Sequence, residues 1–88
     1  MPCAQVRVMV VDDAQQTRQS IRAMLETEPW ISIVGEATDG LEAIRLANDV
    51  KPDLVLMDIN LPRMDGIRAT SELLKSCRTN VVVISVEG

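Results

Sequence analysis

Acidic and hydroxyl side chains stand at the ends of apolar segments in this 88-residue chain. Asp12 and Asp13 follow the first such segment. Asp58 ends the third segment and Ser85 ends the fourth. An all-oxygen set of this kind, with room for retained water, is typical of a Mg²⁺ site. The residue types therefore indicate a cation site if the fold brings these segment ends together.

Strand and helix signals alternate along the chain. Short, apolar, β-branched runs predict four strands, at 6–11, 30–35, 53–58 and 81–85. A first helix is expected from Ala14 to Glu28, before Pro29. A second helix follows the N-cap Asp39, and a third is expected to follow the N-cap Asp65. Glu42, three residues after Asp39, completes a pattern like a capping box, and Lys51-Pro52 ends the second helix.

Apolar residues recur at helical spacing in each predicted helix, which indicates its apolar face. These residues are Ile21, Met24 and Leu25 in the first helix, Leu41, Ile44 and Ala47 with Leu46 and Val50 beside them in the second, and Ile67, Leu73 and Leu74 in the third.

The order β-α-β-α-β-α-β predicts parallel strands, right-handed crossovers and a three-layer α/β fold. The length allows one domain, residues 1–88, and no linker or repeat is visible. Ligands of open α/β sheets bind outside the carboxyl ends of the strands. If strands one, three and four are neighbours, Asp12, Asp13, Asp58 and Ser85 meet there. Two carboxylates about 4 Å apart repel by roughly 4 kcal/mol at an effective dielectric of 20, so a cation is expected.

Composition excludes several function classes. Nine basic against 13 acidic residues, with no basic run, argue against nonspecific binding to nucleic acid or to an anionic membrane. The absence of histidine excludes zinc proteases and Ser–His or Cys–His nucleophiles. Cys3 and Cys77 form no CxxC motif and are expected to be reduced thiols. No signal peptide or membrane span is visible, which predicts a cytoplasmic protein.

Other phosphate-binding motifs do not fit. Gly35 and Gly40 have the glycine spacing of a P-loop, but Leu41-Glu42 stands where Lys-Ser/Thr is required. Asp58-Ile59-Asn60 is similar to the D-x-D of haloacid-dehalogenase-type phosphatases. In those enzymes the nucleophile follows the first strand and the second acid donates a proton, which Asn60 cannot do. A phosphatase is therefore a remote alternative.

Five segments, in order and over nearly the whole chain, resemble a response-regulator receiver domain of two-component signalling. They are Val10-Val11-Asp12-Asp13, Asp39-Gly40-Leu41-Glu42-Ala43, Pro52-Asp53-Leu54-Val55-Leu56-Met57-Asp58, Leu61-Pro62-Arg63-Met64-Asp65-Gly66 and Val81-Val82-Val83-Ile84-Ser85.

The resemblance implies a role for each matching residue. Asp58 would accept the phosphoryl group of a sensor histidine kinase. Asp13 would bind Mg²⁺ directly, Asp12 directly or through water, and Asn60 through its backbone carbonyl. Ser85 would form a hydrogen bond with a phosphoryl oxygen and couple phosphorylation to movement of the loop after strand four. Pro62 and Gly66 would shape the neighbouring loop. The implied sheet is flavodoxin-like, with strand order 2-1-3-4.

The resemblance covers roughly the first three quarters of a receiver. Family members continue through another helix, a fifth strand with a lysine that pairs with the phosphoryl group, usually a switch aromatic, and a last helix. Neither Lys51 nor Lys75 replaces that lysine, since both lie near helix ends. The expectation is a truncated receiver that self-associates through strand four or the uncovered sheet face, or that is ordered only when a partner supplies the missing elements.

Two main hypotheses follow for function. The first is a phosphoacceptor module that does not turn over substrate. Segments 66–70 and 84–86 resemble receivers attached to helix-turn-helix DNA-binding domains, which suggests a transcriptional parent protein whose DNA contacts lie elsewhere. The second is a receiver-like dimerisation or interaction module that is not phosphorylated. The missing lysine favours the second hypothesis, whereas Asp12, Asp13, Asp58 and Ser85 favour the first.

Overall fold

Strands and helices alternate throughout the computed structural model, which describes residues 5–58, 66–76 and 79–84. In chain order the elements are β1 Val6–Val11, α1 Gln15–Leu25, β2 Ile31–Ala37, α2 Gly40–Val50, β3 Leu54–Asp58, α3 Gly66–Ser76 and β4 Asn80–Ile84. Each helix has 11 residues. Among the described residues, no helix is both long and apolar enough to span a membrane.

The four strands form one parallel sheet in the order β2-β1-β3-β4. The predicted fold class and strand order are therefore confirmed. Val11 is in register with Met57, and Met57 is in register with Val83. The carboxyl ends of β1, β3 and β4 are thus level with one another, at the edge where the sequence places its acidic residues.

Helices lie on both faces of the sheet. On one face, the strand residues Met9, Val11, Val55 and Met57 form a buried cluster with residues of α2 and α3. Val8 and Val10, which alternate with that set, are also buried, and α1 contacts β1 and β2. The alternation places α1 on the opposite face, which gives the three expected layers.

The helix faces that pack on the sheet agree only in part with the predicted ones. Ala43, Ala47 and Ala69 are fully buried with Leu73 at the helix–sheet contact. In contrast, the large residues Leu41, Met24, Ile67 and Leu74 are exposed. The prediction was wrong at these four positions and right at Ala47 and Leu73. It omitted Ala43 and Ala69, whose small side chains let the helices approach the sheet closely. Ile44, Leu46 and Val50 pack against the core as expected.

Several element ends also differ from the prediction by one to three residues, including the starts of α1, β2 and β4, which lie at Gln15, Ile31 and Asn80. Helix α1 ends at Leu25 rather than Glu28, and the hydroxyl of Thr27 then donates to the Met24 carbonyl at 2.8 Å. Strand β2 continues to Ala37, because Glu36 and Ala37 pair with the last two residues of β1. Strand β3 begins at Leu54, one residue later than expected.

The expected start of α2 is confirmed by its contacts. The backbone N–H of Glu42 donates to the Asp39 carboxylate at 2.8 Å, as an N-cap requires. The Glu42 carboxylate accepts from the backbone N–H of Thr38 at 2.7 Å, one residue before the usual capping-box partner. Lys51 ends the helix with a φ of 53°, in the left-handed region, and Pro52 follows.

Candidate functional site

The β1–α1 loop carries the first two acidic residues. The Asp12 backbone N–H donates to the Ala37 carbonyl at 3.0 Å, which extends the β1–β2 pairing by one residue. The Asp12 carboxylate accepts from the Ala14 N–H at 2.8 Å. This short-range bond is an Asx turn, and it leads the chain from the strand into α1, whose N-cap is Ala14. Asp12 is therefore held through both its backbone N–H and its carboxylate, and it is only 2% exposed. Asp13 is exposed.

Asp58 is the last residue of β3, an interior strand between β1 and β4. It is in register with Ile84 of β4 and is 7% exposed. An apolar strand thus ends in a carboxylate that the sheet has almost removed from solvent. Such a carboxylate is costly to bury unless it meets hydrogen-bond donors or a cation.

The side chains of Asp12, Asp13 and Asp58 converge. One carboxylate oxygen from each lies within 4.8 Å of the other two. Burial raises the pKa of the Asp12 carboxyl, and the charges of Asp58 and Asp13 raise it further, against the bond from the Ala14 N–H and the charge of Arg18, which lower it. The three carboxylates are therefore close enough to repel one another, and a cation between them would relieve that repulsion.

This donor set suits a hard divalent cation. Three carboxylate oxygens at this separation can contact one ion, and the exposure of Asp13 leaves a solvent side for retained water. Mg²⁺ prefers oxygen ligands and keeps several waters. The residues present therefore fit Mg²⁺ by charge and by ligand chemistry.

Two further predicted site residues, Asn60 and Ser85, lie outside the described residues, as do Pro62 and Asp65. Their implied roles stay predictions. Gly66 is described as the first residue of α3.

An ion-pair network beside the loop was missed by the sequence reasoning. The Arg18 Nη1 group donates to the Asp12 carbonyl at 2.7 Å, and its Nε donates to the Glu36 carboxylate at 3.1 Å. Arg22 also pairs with Glu36 and with Glu26. Arg18 and Arg22 are four residues apart and therefore lie on the same face of α1. That spacing alone does not reveal their shared partner Glu36, which lies on β2.

The comparison with protein families identifies the class. The family model described as "Response regulator receiver domain" matches residues 8–88. That range is most of the chain and includes every acidic residue of the cluster. The chain belongs to the response regulator receiver domain family.

Individual relatives agree with this assignment. The chain is 46% identical over 80 residues to protein-glutamate methylesterase/protein-glutamine glutaminase 1 of Geobacter sulfurreducens, covering 91% of this chain and 22% of that protein. It is 38% identical over 79 residues to the transcriptional regulatory protein LiaR of Bacillus subtilis, covering 90% of this chain and 37% of that protein.

A solved structure shows the same fold. The response regulator domain of Thermotoga maritima CheB superimposes with a TM-score of 0.89 at 38% sequence identity, covering 92% of this chain and 60% of that one.

The chain matches only part of the two curated relatives named above. It spans about a fifth of the length of the methylesterase and somewhat over a third of the length of LiaR. Activities that those relatives carry elsewhere in their length do not follow from the match.

Proposed function

We propose that this receiver domain accepts a phosphoryl group on Asp58 from the phosphohistidine of a sensor histidine kinase, with Mg²⁺ bound by Asp12, Asp13 and Asp58. The observation that carries the proposal is the convergence of these three carboxylates, two of them buried, at the carboxyl edge of the sheet. An aspartate that only ends a strand does not require other carboxylates beside it. An aspartate that accepts a phosphoryl group requires a neighbouring cation site, which such carboxylates can form.

The chemical step is an in-line displacement. A carboxylate oxygen of Asp58 forms a bond to phosphorus while the phosphorus–nitrogen bond of the donor breaks. The bonding pair leaves with the imidazole nitrogen, which takes up a proton from solvent. The product is an acyl phosphate on Asp58 and a neutral histidine on the partner. Such transfer depends on positioning and on electrostatic stabilisation rather than on a catalytic base.

The acid cluster provides both requirements. The end of β3 holds the Asp58 carboxylate at the open edge of the sheet, facing the loop that carries Asp12 and Asp13. Mg²⁺, when bound, neutralises charge on the carboxylates and on the phosphoryl oxygens. Asp12 and Asp13 hold the ion close to Asp58, and Asn60 and Ser85 are proposed to complete the site through a backbone carbonyl and a hydroxyl.

The test uses the 88-residue chain, MgCl₂ and a small phosphodonor such as acetyl phosphate or phosphoramidate. Intact mass should increase by one phosphoryl group, peptide mapping should place it on Asp58, and Asp58→Ala should abolish the gain. Asp53→Ala, at the other end of β3, is the matched control and should retain it. Modification of another residue while Asp58 stays unmodified would refute the assignment.

An interaction role is the second candidate, favoured by one surface. Val82 of β4, the outermost strand among the described residues, is 45% exposed although it belongs to an apolar run. An uncovered apolar strand at a sheet edge is a template for pairing. We propose that two copies of this chain associate through β4. Sedimentation velocity should show a mass that rises with concentration, and Val82→Lys should restore the monomer; a monomer at all micromolar concentrations contradicts the idea.

The output of the parent protein stays a prediction. We propose that the parent protein is a transcriptional regulator, because segment 66–70 resembles receivers attached to helix-turn-helix DNA-binding domains. The similarity to the transcriptional regulatory protein LiaR supports this proposal. The methylesterase relatives match the same part of the chain at higher identity and support a different output. The coding sequence around these 88 codons distinguishes the two.

A further inference from the structure

We propose that Arg18 is a positioning residue for the Mg²⁺ site, acting by a bridge from Glu36 on β2 to the backbone carbonyl of Asp12. The inference rests on the proposed function, because it concerns the same ion. It adds a residue of α1 that contacts neither the ion nor the phosphoryl group. Arg18 is proposed to set how well the loop binds Mg²⁺.

The carbonyl that Arg18 holds belongs to the peptide unit between Asp12 and Asp13. This unit is planar, so its orientation sets ψ of Asp12 and φ of Asp13 together. The Arg18 Nη1 group donates to that carbonyl oxygen at 2.7 Å. This one hydrogen bond therefore constrains the backbone that carries the carboxylates of both Asp12 and Asp13.

The other end of the bridge is fixed to the sheet. Glu36 pairs with Val10 in the β1–β2 ladder, and its carboxylate accepts from the Arg18 Nε at 3.1 Å. Arg18 is also tied to the start of α1, because its own N–H donates to the Ala14 carbonyl at 3.1 Å. The Arg18 side chain is 14% exposed, so this pair is shielded from solvent more than an ordinary surface ion pair.

Arginine suits this position better than lysine. The guanidinium is a rigid planar fork, so its Nε and Nη1 groups can donate to two fixed oxygens on different elements. An ammonium carries the same charge on a flexible stem and does not reproduce that fork. Arg18→Lys therefore disturbs the geometry while the charge is kept. This separation matters, because deleting the charge would by itself strengthen the attraction of Mg²⁺ to the acid cluster.

Arg22 is the matched control. It pairs with the same Glu36 carboxylate, and its Nε also donates to Glu26 at 3.0 Å. Its side chain is 45% exposed, and its described partners are these two glutamates rather than the loop. Arg22→Lys therefore makes the same chemical change on the same helix without touching the Asp12 carbonyl.

The experiment is calorimetric titration of the metal-free chain with MgCl₂, together with thermal unfolding in EDTA. Arg18→Lys should raise the dissociation constant for Mg²⁺ about tenfold, the scale of an outer-shell change, and Arg22→Lys should leave it within about twofold. A purely structural role for Arg18 would change the melting temperature and leave the dissociation constant unchanged. Glu36→Asp, which keeps the charge but withdraws the carboxylate by one methylene, should weaken binding about threefold and serves if Arg18→Lys fails to fold.

The outcomes separate this inference from the proposed function. Wild-type protein that binds no Mg²⁺ would overturn both. Wild-type protein that binds Mg²⁺, with Arg18→Lys or its substitute Glu36→Asp binding equally well, would overturn only the role of Arg18. Equal weakening by Arg18→Lys and Arg22→Lys would also overturn it, since the effect would then come from Glu36 and not from the loop carbonyl.

Discussion

Strand β3 has an aspartate at each end, and the two ends of the strand have opposite surroundings. Asp53 immediately precedes the strand and Asp58 is its last residue. The Asp53 carboxylate accepts from the Arg7 backbone N–H at 2.9 Å, and the Asp53 N–H donates to the Arg7 carbonyl at 2.7 Å. Asp58 instead meets two more carboxylates.

The amino-terminal edge of the sheet is closed by hydrogen bonds. Besides the reciprocal pair with Asp53, Arg7 donates through Nη1 to the Lys51 carbonyl at 2.9 Å. The Asn80 N–H donates to the Asp53 carbonyl at 3.1 Å, so this edge joins β1, β3 and β4. The Asp53 carboxylate thus accepts a backbone N–H that helps to join two strands, whereas Asp58 lies close to two carboxylates and contributes to the raised pKa of Asp12. The comparison teaches that the same residue type at the two ends of one strand meets different electrostatic surroundings.

The largest expected difference between the two ends is in metal binding. Asp13→Asn should weaken Mg²⁺ binding about tenfold, because it removes one negative charge from the cluster. Asp53→Asn removes a charge from the other edge and should leave the affinity unchanged. Calorimetric titration of both variants with MgCl₂ measures this, and indistinguishable titrations would end the distinction between the two edges.

A smaller effect is expected on the stability of the metal-free protein at neutral pH. Asp12→Asn should increase the free energy of unfolding by about 1 kcal/mol, since the amide keeps an acceptor for the Ala14 N–H and removes the repulsion. Urea unfolding in EDTA measures the difference. Saturating Mg²⁺ should reverse the order, since the wild type then gains binding energy that the variant lacks.

The same variant carries a pH dependence with a definite sign. The pKa of Asp12 is raised in the folded state, by burial first and then by Asp58 and Asp13. Its contribution to stability is therefore fully present below its ordinary value of 3.8 and is lost as the pH rises through the folded pKa. The advantage of Asp12→Asn should vanish in acid. An advantage that persists unchanged at pH 3 would contradict this origin.

The smallest effect is expected at the closed edge. Asp53→Ala should lower the free energy of unfolding by about 0.5 kcal/mol, because it removes one exposed acceptor of a backbone N–H. Asp53→Asn keeps an acceptor oxygen and should lie closer to the wild type. Urea unfolding of both variants tests this, and a loss as large for asparagine as for alanine would mean that the charge of Asp53 matters more than its hydrogen bond.

Much of the fold could be predicted because its signals are local. The bounds of β1 match the prediction, and the capping of α2 by Asp39 follows from hydrogen bonds within a few residues of chain. The exposed Leu41, Ile67 and Leu74 were mispredicted, since which side of a helix packs depends on how closely alanines let it approach the sheet. The Arg18–Glu36 bridge could not be predicted, because it joins residues 18 positions apart.

The sequence by itself determined that acidic residues end β1 and β3 and that the strands are parallel, because periodicity and residue type act over short distances. The sequence predicted that the carboxyl ends of β1 and β3 would be level with each other, and the parallel pairing of the two strands confirms it. Only the tertiary structure decided that carboxylate oxygens of Asp12, Asp13 and Asp58 lie within 4.8 Å of one another, and that the Asp53 carboxylate accepts the Arg7 backbone N–H instead. Burial and long-range pairing set the charge environment of a carboxylate, and neither is a property of its neighbours in sequence.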